Sequence, residues 1–231
     1  MKLVVLTGAG ISAESGLRTF RGNDGLWENE SIEDVATPEG YFRDKVRVKN
    51  FYNKLRISLP NFKPNAAHIA LADMEKKLGN DFLLITQNVD DLHERAGSQK
   101  VLHMHGFLNQ LRCEQFSHVF PFDGEETSQT KCPVCGGTCR PHIVWFGEIP
   151  LYMDEIQNAL EHTEHFVYIG TSSVVYPAAG FKQIAKRHGA KVTCLNLEIN
   201  PSDPFTDENI QGLATEIVPQ WCENFFNTNG F

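Results

Sequence analysis

Residues 82–106, FLLITQNVDDLHERAGSQKVLHMHG, gather side chains able to do acid–base chemistry. A short apolar run, 82–86, ends in Gln87, Asn88, Val89 and Asp90, and a second, Val101 and Leu102, delivers His103, Met104, His105 and Gly106. Apolar strands that end in amides, a carboxylate and imidazoles place fixed polar groups at a sheet edge, where open α/β sheets bind ligands. Taken singly, these residues also have a plainer account: His103 and His105 as strand histidines with satisfied hydrogen bonds, and Asn88 or Asp90 as the N-cap of a helix over 92–96. The start of the chain argues for the site. An apolar strand at 3–6 runs straight into TGAGISAESG, in which residues 8–13 fit G-x-G-x-x-G/A. In that pattern the glycines let backbone N–H groups approach a pyrophosphate at a helix N-terminus.

A second set of chemically capable residues lies at 112–140, between two strands. Cys132-x-x-Cys135-Gly-Gly has zinc-knuckle spacing, with Cys113 as a distant partner. Position 116, where a second C-x-x-C would finish, is Phe116, which leaves the fourth ligand open among Cys139, His118 and Asp123. The alternative is a module without metal, in which Phe116, Phe120 and Phe122 form a small apolar core. The six cysteines, at 113, 132, 135, 139, 194 and 222, cluster rather than spread, which in a reducing compartment suggests a metal module more than disulfides.

The elements that must position these groups follow from the hydrophobic pattern. Strands are expected at 3–6, 82–86, 101–102, 142–146, 166–169, 192–197 and 215–218, with helices at 45–59, 65–79, 92–96, 153–160, 178–188 and 220–226. Strands alternating with helices imply a Rossmann-like, doubly wound parallel sheet. The Rossmann-like part takes about 1–30, 80–108 and 140–231, a helical insertion about 31–79, and a small zinc-ribbon-like module about 109–140, all in one catalytic unit of 231 residues. The stretch LRTFRGNDGLWENESIEDVATPEGYF reads as a loop able to close over a cofactor. Where a dehydrogenase would show an acidic residue about 20 positions after the glycines, this chain has none at a strand end; Glu198 ends a later strand instead.

Composition bounds the partners. Lys plus Arg less Asp plus Glu is 21 − 29, a net charge of −8, which argues against sequence-independent binding to nucleic acid. No run reaches the ~20 apolar residues of a membrane helix, and the N-terminal apolar run is too short for a signal peptide, so a cytoplasmic protein is expected.

Beyond these readings, the chain resembles a sirtuin, an NAD-dependent protein lysine deacylase. The blocks that carry the likeness are GAGISAESGLRTFRG, TQNVDDLHERAG, HMHG, CPVCGG, RPHIVWFGE, GTSSVVYPAA and NLE, in family order. DVATPEGYF is most similar to the bacterial CobB-type, class III members. The resemblance implies that the acyl-lysine oxygen attacks the ribose carbon bearing nicotinamide, that an alkylimidate forms, and that the acyl group ends on ADP-ribose. It implies catalytic roles for His105 as general base, for Asn88 on a ribose hydroxyl or water, and for Asp90 on the nicotinamide amide. Cofactor contacts are implied for Gly8, Ala9, Gly10, Ser12, Glu14, Ser15, Phe20, Arg21, Trp27, Gln87, Val89, Gly170, Thr171, Ser172, Asn196, Leu197, Glu198 and Ala214. Substrate contacts are implied for Ala36, Tyr52, Val144, Phe146 and Gly147, the last three by strand addition. His103 would be structural, and the module's metal zinc, on Cys113, Cys132 and Cys135.

Acyl preference is left open. Relatives that remove succinyl or malonyl groups carry Tyr-x-x-Arg; here Tyr52 is followed at the third position by Leu55 and at the fourth by Arg56. Both positions lie near the helix face of Tyr52. Either Arg56 reaches a distal carboxylate from a shifted stem, or it is a solvated charge and the pocket takes neutral acyl groups. The resemblance leaves two rival readings: an NAD glycohydrolase or ADP-ribosyltransferase, and an idle NAD-sensing module. The expected partners are acyl-lysine proteins or peptides, with no membrane, and the expected state is a monomer.

Overall fold

The computed structural model describes residues 1–18, 26–28, 30–172 and 175–229, with the side chains of residues 26, 27 and 229 excepted. Its strands are β1 (Leu3–Thr7), β2 (Leu26–Trp27), β3 (Glu30–Ser31), β4 (Phe82–Thr86), β5 (Val101–His103), β6 (Gly106–Cys113), β7 (Val119–Pro121), β8 (Cys139–Ile143), β9 (His165–Ile169), β10 (Lys191–Asn196) and β11 (Glu208–Gln211). The helices are α1 (Ile32–Val35), α2 (Pro38–Arg43), α3 (Lys45–Ser58), α4 (Ala66–Leu78), α5 (Leu92–Ala96), α6 (Met153–Glu161), α7 (Phe181–Arg187) and α8 (Ala214–Asn229).

Six strands form one parallel sheet in the order β11-β10-β9-β1-β4-β5. All five residues of β1 and of β4 are buried, which is why both read as unbroken apolar runs: each face of the sheet is covered. On one face Leu3, Val5, Leu84 and Ile169 pack against Leu71 and Met74 of α4 and Val218 and Trp221 of α8. On the other, Val4, Leu6, Ile85 and Phe166 meet Ile156 and Leu160 of α6 and Phe181 of α7. The chain winds outward from β1 in both directions, to β4 and β5 on one side and to β9, β10 and β11 on the other. The loops after β1 and β9 therefore part company at the topological switch point, where such sheets form a crevice.

A third apolar cluster joins Val35, Tyr41, Val48 and Tyr52 of the helical insertion to Leu108, Ile143 and Trp145. The Cys-containing module is a separate antiparallel sheet, β7-β6-β8.

Three expectations change. Residues 215–218 are not a strand but the first turns of α8, whose buried Ile217, Val218, Trp221, Cys222 and Phe225 recur at helical spacing. The last strand is instead β11, paired with β10 from Thr193↔Glu208 to Asn196↔Gln211. The strand expected at 142–146 stops at Ile143 and pairs antiparallel with β6, so it belongs to the small sheet. And the stretch 17–42, expected as a loop, carries β2, β3, α1 and most of α2 among its described residues.

Candidate active site

The residues singled out in the sequence gather at the C-terminal ends of the parallel strands. After β1, Gly8 N–H donates to Ile169 O (2.9 Å) and Gly10 N–H to Gly170 O (2.8 Å). A Cβ on Gly10 would lie 2.6 Å from Gly170 Cα, and one on Gly170 would lie 2.4 Å from Ile11 N, so both loops need glycine to meet backbone to backbone. Gly170 also sits at φ +60°, in the left-handed region. Residues 9–15 form a 3-10 turn rather than an α-helix. The duty of these glycines that the geometry shows is loop-on-loop packing.

Behind these loops lies a buried polar network with Ser12 at its centre. Ser12 Oγ donates to Asp90 Oδ2 (3.2 Å) and accepts from Asn88 Nδ2 (3.2 Å). His68 Nδ1 accepts from Asn65 N–H (3.3 Å), so its Nε2–H faces Ser12 Oγ at 3.4 Å. Burial pushes the His68 pKa down to about 4, keeping the ring neutral in this role. Asp90 Oδ1 accepts from Leu92 N–H (3.1 Å), and burial raises its pKa to about 6. Asp90 therefore caps the approach to α5 as well as facing Ser12. The backbone turn is fixed by Asn88 N–H on Thr86 Oγ1 (3.0 Å), while Thr7 Oγ1 donates to Thr86 Oγ1 (2.9 Å).

His105 is half-buried beside this network. Its Nδ1 lies 3.2 Å from the Gln87 carbonyl, which can only accept, so Nδ1 carries the proton and Nε2 the lone pair. Burial lowers its pKa, the Gln87 bond partly opposing this, so the ring is a neutral base at pH 7. His103 faces the other way: Nδ1 bonds Asn88 O (3.0 Å) and Nε2 bonds Glu94 Oε1 (2.7 Å), so it braces the loop.

Around the crevice, Gln87 Nε2 donates to Thr171 Oγ1 (3.0 Å) and Asn196 Nδ2 to Thr171 O (2.8 Å), tying the ends of β4, β9 and β10 together. Ser172, Leu197 and Glu198 are exposed, and Ala9 and Ala214 half-buried. Val89 packs on the third apolar cluster and holds Leu108 N–H on its carbonyl. Glu14 and Ser15, expected to hold cofactor, also bond within the chain: Glu14 accepts from Thr215 N–H and Oγ1 at the start of α8, and Ser15 Oγ accepts from Asn65 Nδ2. Phe20 and Arg21 lie outside the described residues, and of Trp27 the backbone alone is described.

In the segment after β8, expected to meet substrate, Val144 N–H donates to His105 O (2.8 Å) and Phe146 N–H to Ala36 O (2.9 Å). The segment presents outward the Phe146 side chain, 45% exposed, and Gly147 at φ +89°. Tyr52 is fully buried and its hydroxyl accepts from Trp145 Nε1 (3.0 Å). Arg56 is not a solvated charge: 2% exposed, it donates from Nε to Leu108 O (2.6 Å) and from Nη1 to Asn53 Oδ1 (2.9 Å) and Gly124 O (3.2 Å), while its Nη2 is buried without a hydrogen-bond partner among the described residues. Leu55, one position earlier, packs on the cluster that holds Ala36, Tyr52 and Trp145.

In the small module Cys113, His118, Cys132 and Cys135 have ligand atoms all within 4.8 Å of one another. Three thiolates and an imidazole at that spacing suit tetrahedral zinc. Of the three candidates for the fourth ligand, His118 has its ring nitrogen in the same group as the three thiols and Cys139 and Asp123 do not, while Phe116 is 64% exposed. Sequence spacing missed Ser12 as a hub and left His118 open among three candidates, since both depend on contacts between distant segments.

Residues 8–177 match the family model described as "Sir2 family". A protein of Yersinia pseudotuberculosis named "NAD-dependent protein deacylase" is 53% identical over 232 residues, covering 99% of this chain and 84% of its own. Among solved structures, one titled as a complex of a Sir2 homolog with NAD superposes with a TM-score of 0.87 at 38% identity, covering 98% of this chain and 90% of the other. Another, titled "Sir2-p53 peptide-NAD+", gives 0.78 at 28% identity, covering 99% and 93%.

Proposed function

The chain belongs to the Sir2 family, and from that premise we infer that it is an NAD-dependent protein lysine deacylase acting on acyl-lysine proteins or peptides. The observation that carries the residue assignment is the tautomer of His105: a neutral imidazole held by Gln87 O, with Nε2 bare, beside the Asn88–Ser12–Asp90 network.

Gly8, Gly10 and Gly170, packed backbone to backbone where the loops after β1 and β9 meet, would hold the pyrophosphate through their backbone N–H side, as the G-x-G-x-x-A pattern implies. NAD, when bound, supplies the ribose carbon that the acyl oxygen bonds and the nicotinamide that leaves. The chain's own work is positioning and proton transfer. His105 Nε2 accepts a proton from a ribose hydroxyl. Asn88, held by Ser12, offers its amide to a ribose hydroxyl, and Asp90 accepts from the nicotinamide carboxamide. Gln87, Thr171, Ser172 and Asn196 to Glu198 line the ribose and adenosine side. Phe146 and Gly147 present the surface along which the peptide lies. Zinc on Cys113, His118, Cys132 and Cys135 supplies a structural cross-link remote from the chemistry.

We propose further that the pocket takes neutral acyl groups. Arg56 commits Nε and Nη1 to Leu108 O, Asn53 Oδ1 and Gly124 O, which leaves Nη2 alone to meet a distal carboxylate, and the third position after Tyr52 is the apolar Leu55; both favour neutral acyl groups. Among the described residues no helix is long and apolar enough to cross a membrane. A cytoplasmic monomer that does not bind nucleic acid accords with the net charge of −8.

Mass spectrometry of one lysine peptide in acetylated and succinylated forms, with and without NAD, tests these readings. The expected result is NAD-dependent loss of acetyl with O-acetyl-ADP-ribose formed, and much slower loss of succinyl. Nicotinamide released with both peptides untouched would overturn the deacylase assignment.

A further inference from the structure

We propose that Glu148 is a positioning residue, locking the segment 144–147 in the form that holds the backbone around the acyl-lysine. The proposal rests on the deacylase reading, with segment 144–147 as the peptide site.

Segment 144–147 follows β8 and has no regular secondary structure of its own. Three backbone amides fix it. Val144 N–H goes to His105 O and Phe146 N–H to Ala36 O, while Trp145 N–H goes to Glu148 Oε2 (2.8 Å). Two of these acceptors are backbone carbonyls, beyond the reach of substitution; the third is a side chain.

That carboxylate is heavily committed. Oε1 accepts from Arg112 Nη2 (2.8 Å) and Arg140 Nη1 (2.9 Å), and Oε2 from Arg140 Nη2 (2.7 Å) as well as from Trp145 N–H. Four donors use the lone-pair sites of both oxygens, and the bidentate fork of Arg140 adds geometric specificity. Glu148 N–H closes the turn onto Trp145 O (2.9 Å). Burial alone would raise the Glu148 pKa, but the bonds from Arg140 and Trp145 more than offset this and hold it below its ordinary value.

The network reaches the site on both sides. Arg140 Nη2 also donates to Ile143 O (2.8 Å), its guanidinium lies 3.6 Å from the Trp145 ring centroid, and Trp145 Nε1 donates to Tyr52. One carboxylate thus fixes β8, the substrate segment and the indole that faces α3. Neither Glu148 nor its arginines touch the reacting atoms, so the effect belongs in substrate binding more than in chemistry.

The test compares wild type with Glu148→Gln and Glu148→Asp on two substrates: an acetyl-lysine peptide, and acetyl-lysine amide, which has no flanking backbone. Losing the charge between two guanidiniums is expected to raise the peptide KM about tenfold or more. The peptide kcat, the KM for NAD and kcat/KM for acetyl-lysine amide should stay within about threefold. Glu148→Asp, which keeps the charge on a shorter stem, should recover part of the peptide KM. If Glu148→Gln does not fold, Arg112→Met keeps the Arg140 fork and should give a smaller shift in the same direction. Equal losses on both substrates, or an unchanged peptide KM, would overturn the proposal. Wild-type protein inactive on both substrates with NAD would instead refute the deacylase reading.

Discussion

Two regions flank the proposed substrate crevice and are built on opposite plans. The switch-point side is made from strand ends: β1, β4, β9 and β10 deliver Gly8, Gln87 to Asp90, Gly170 and Asn196 from a sheet buried on both faces. The opposite side is a helix and a metal module joined by polar clamps. One face of α3 carries Asn53 and Arg56, which bind backbone of residues 124–126, and Lys49, which pairs with the buried Glu126 (2.7 Å). Tyr41 and Lys45 both bond Glu114. A sheet core places its strand ends mainly through the backbone, and short polar side chains such as Thr86 and Ser12 finish the turns. A region held by ion pairs and by a cluster of thiols and imidazole that suits zinc depends on each clamp, since removing one partner strands the other in a buried place.

The largest expected effect is on the sheet side and purely chemical. His105→Ala should lower kcat for deacylation by about 10²–10⁴-fold while leaving the melting temperature nearly unchanged, because the strands, not the imidazole, hold the loop. A stopped assay for O-acetyl-ADP-ribose alongside a thermal melt would check both halves, and a large drop in melting temperature would erase the contrast between the regions.

On the clamp side the order of effects should reverse. One zinc per chain is expected by elemental analysis, and chelation or His118→Ala should lower the melting temperature by about 5–10 °C. Residual folded enzyme should keep most of its kcat. A kcat that falls in step with zinc content, at constant fold, would show that the module takes part in the chemistry.

A finer test uses α3 itself. Leu55→Arg places a guanidinium on the helix beside Tyr52, and the ratio of succinyl to acetyl removal should rise about tenfold or more. Arg56→Met should leave that ratio alone and cost stability, since Arg56 holds Leu108 O and Gly124 O rather than substrate.

The smallest effect concerns pH. Burial lowers the His105 pKa below 6.5, so its neutral form persists as pH falls through 6.5 and is lost only below that. The acid limb of kcat/KM should therefore have its midpoint below 6.5, with Asp90, at about 6, charging over the same range. A midpoint above 6.5 in the pH profile would contradict the burial that the sheet imposes.

The strand ends and the order in which they occur were legible in the sequence because their signal is local. LVVLT and FLLIT are unbroken apolar runs, and the residues that follow each are placed by the strand itself. Residues 215–218 misled because Ile217 and Val218 favour strands and Pro219 reads as a stop, whereas burial against the sheet selects α8. What only the tertiary structure decided are the partners of side chains brought together from far apart: Ser12 with Asn88, Asp90 and His68; His118 rather than Cys139 on the three thiolates; Arg56 on the carbonyls of the small module; Glu148 between Arg112 and Arg140. The reason is physical. A backbone run carries its own propensity and burial pattern, but a polar side chain takes whichever donor or acceptor the packed core leaves unsatisfied, and that choice does not exist until the segments meet.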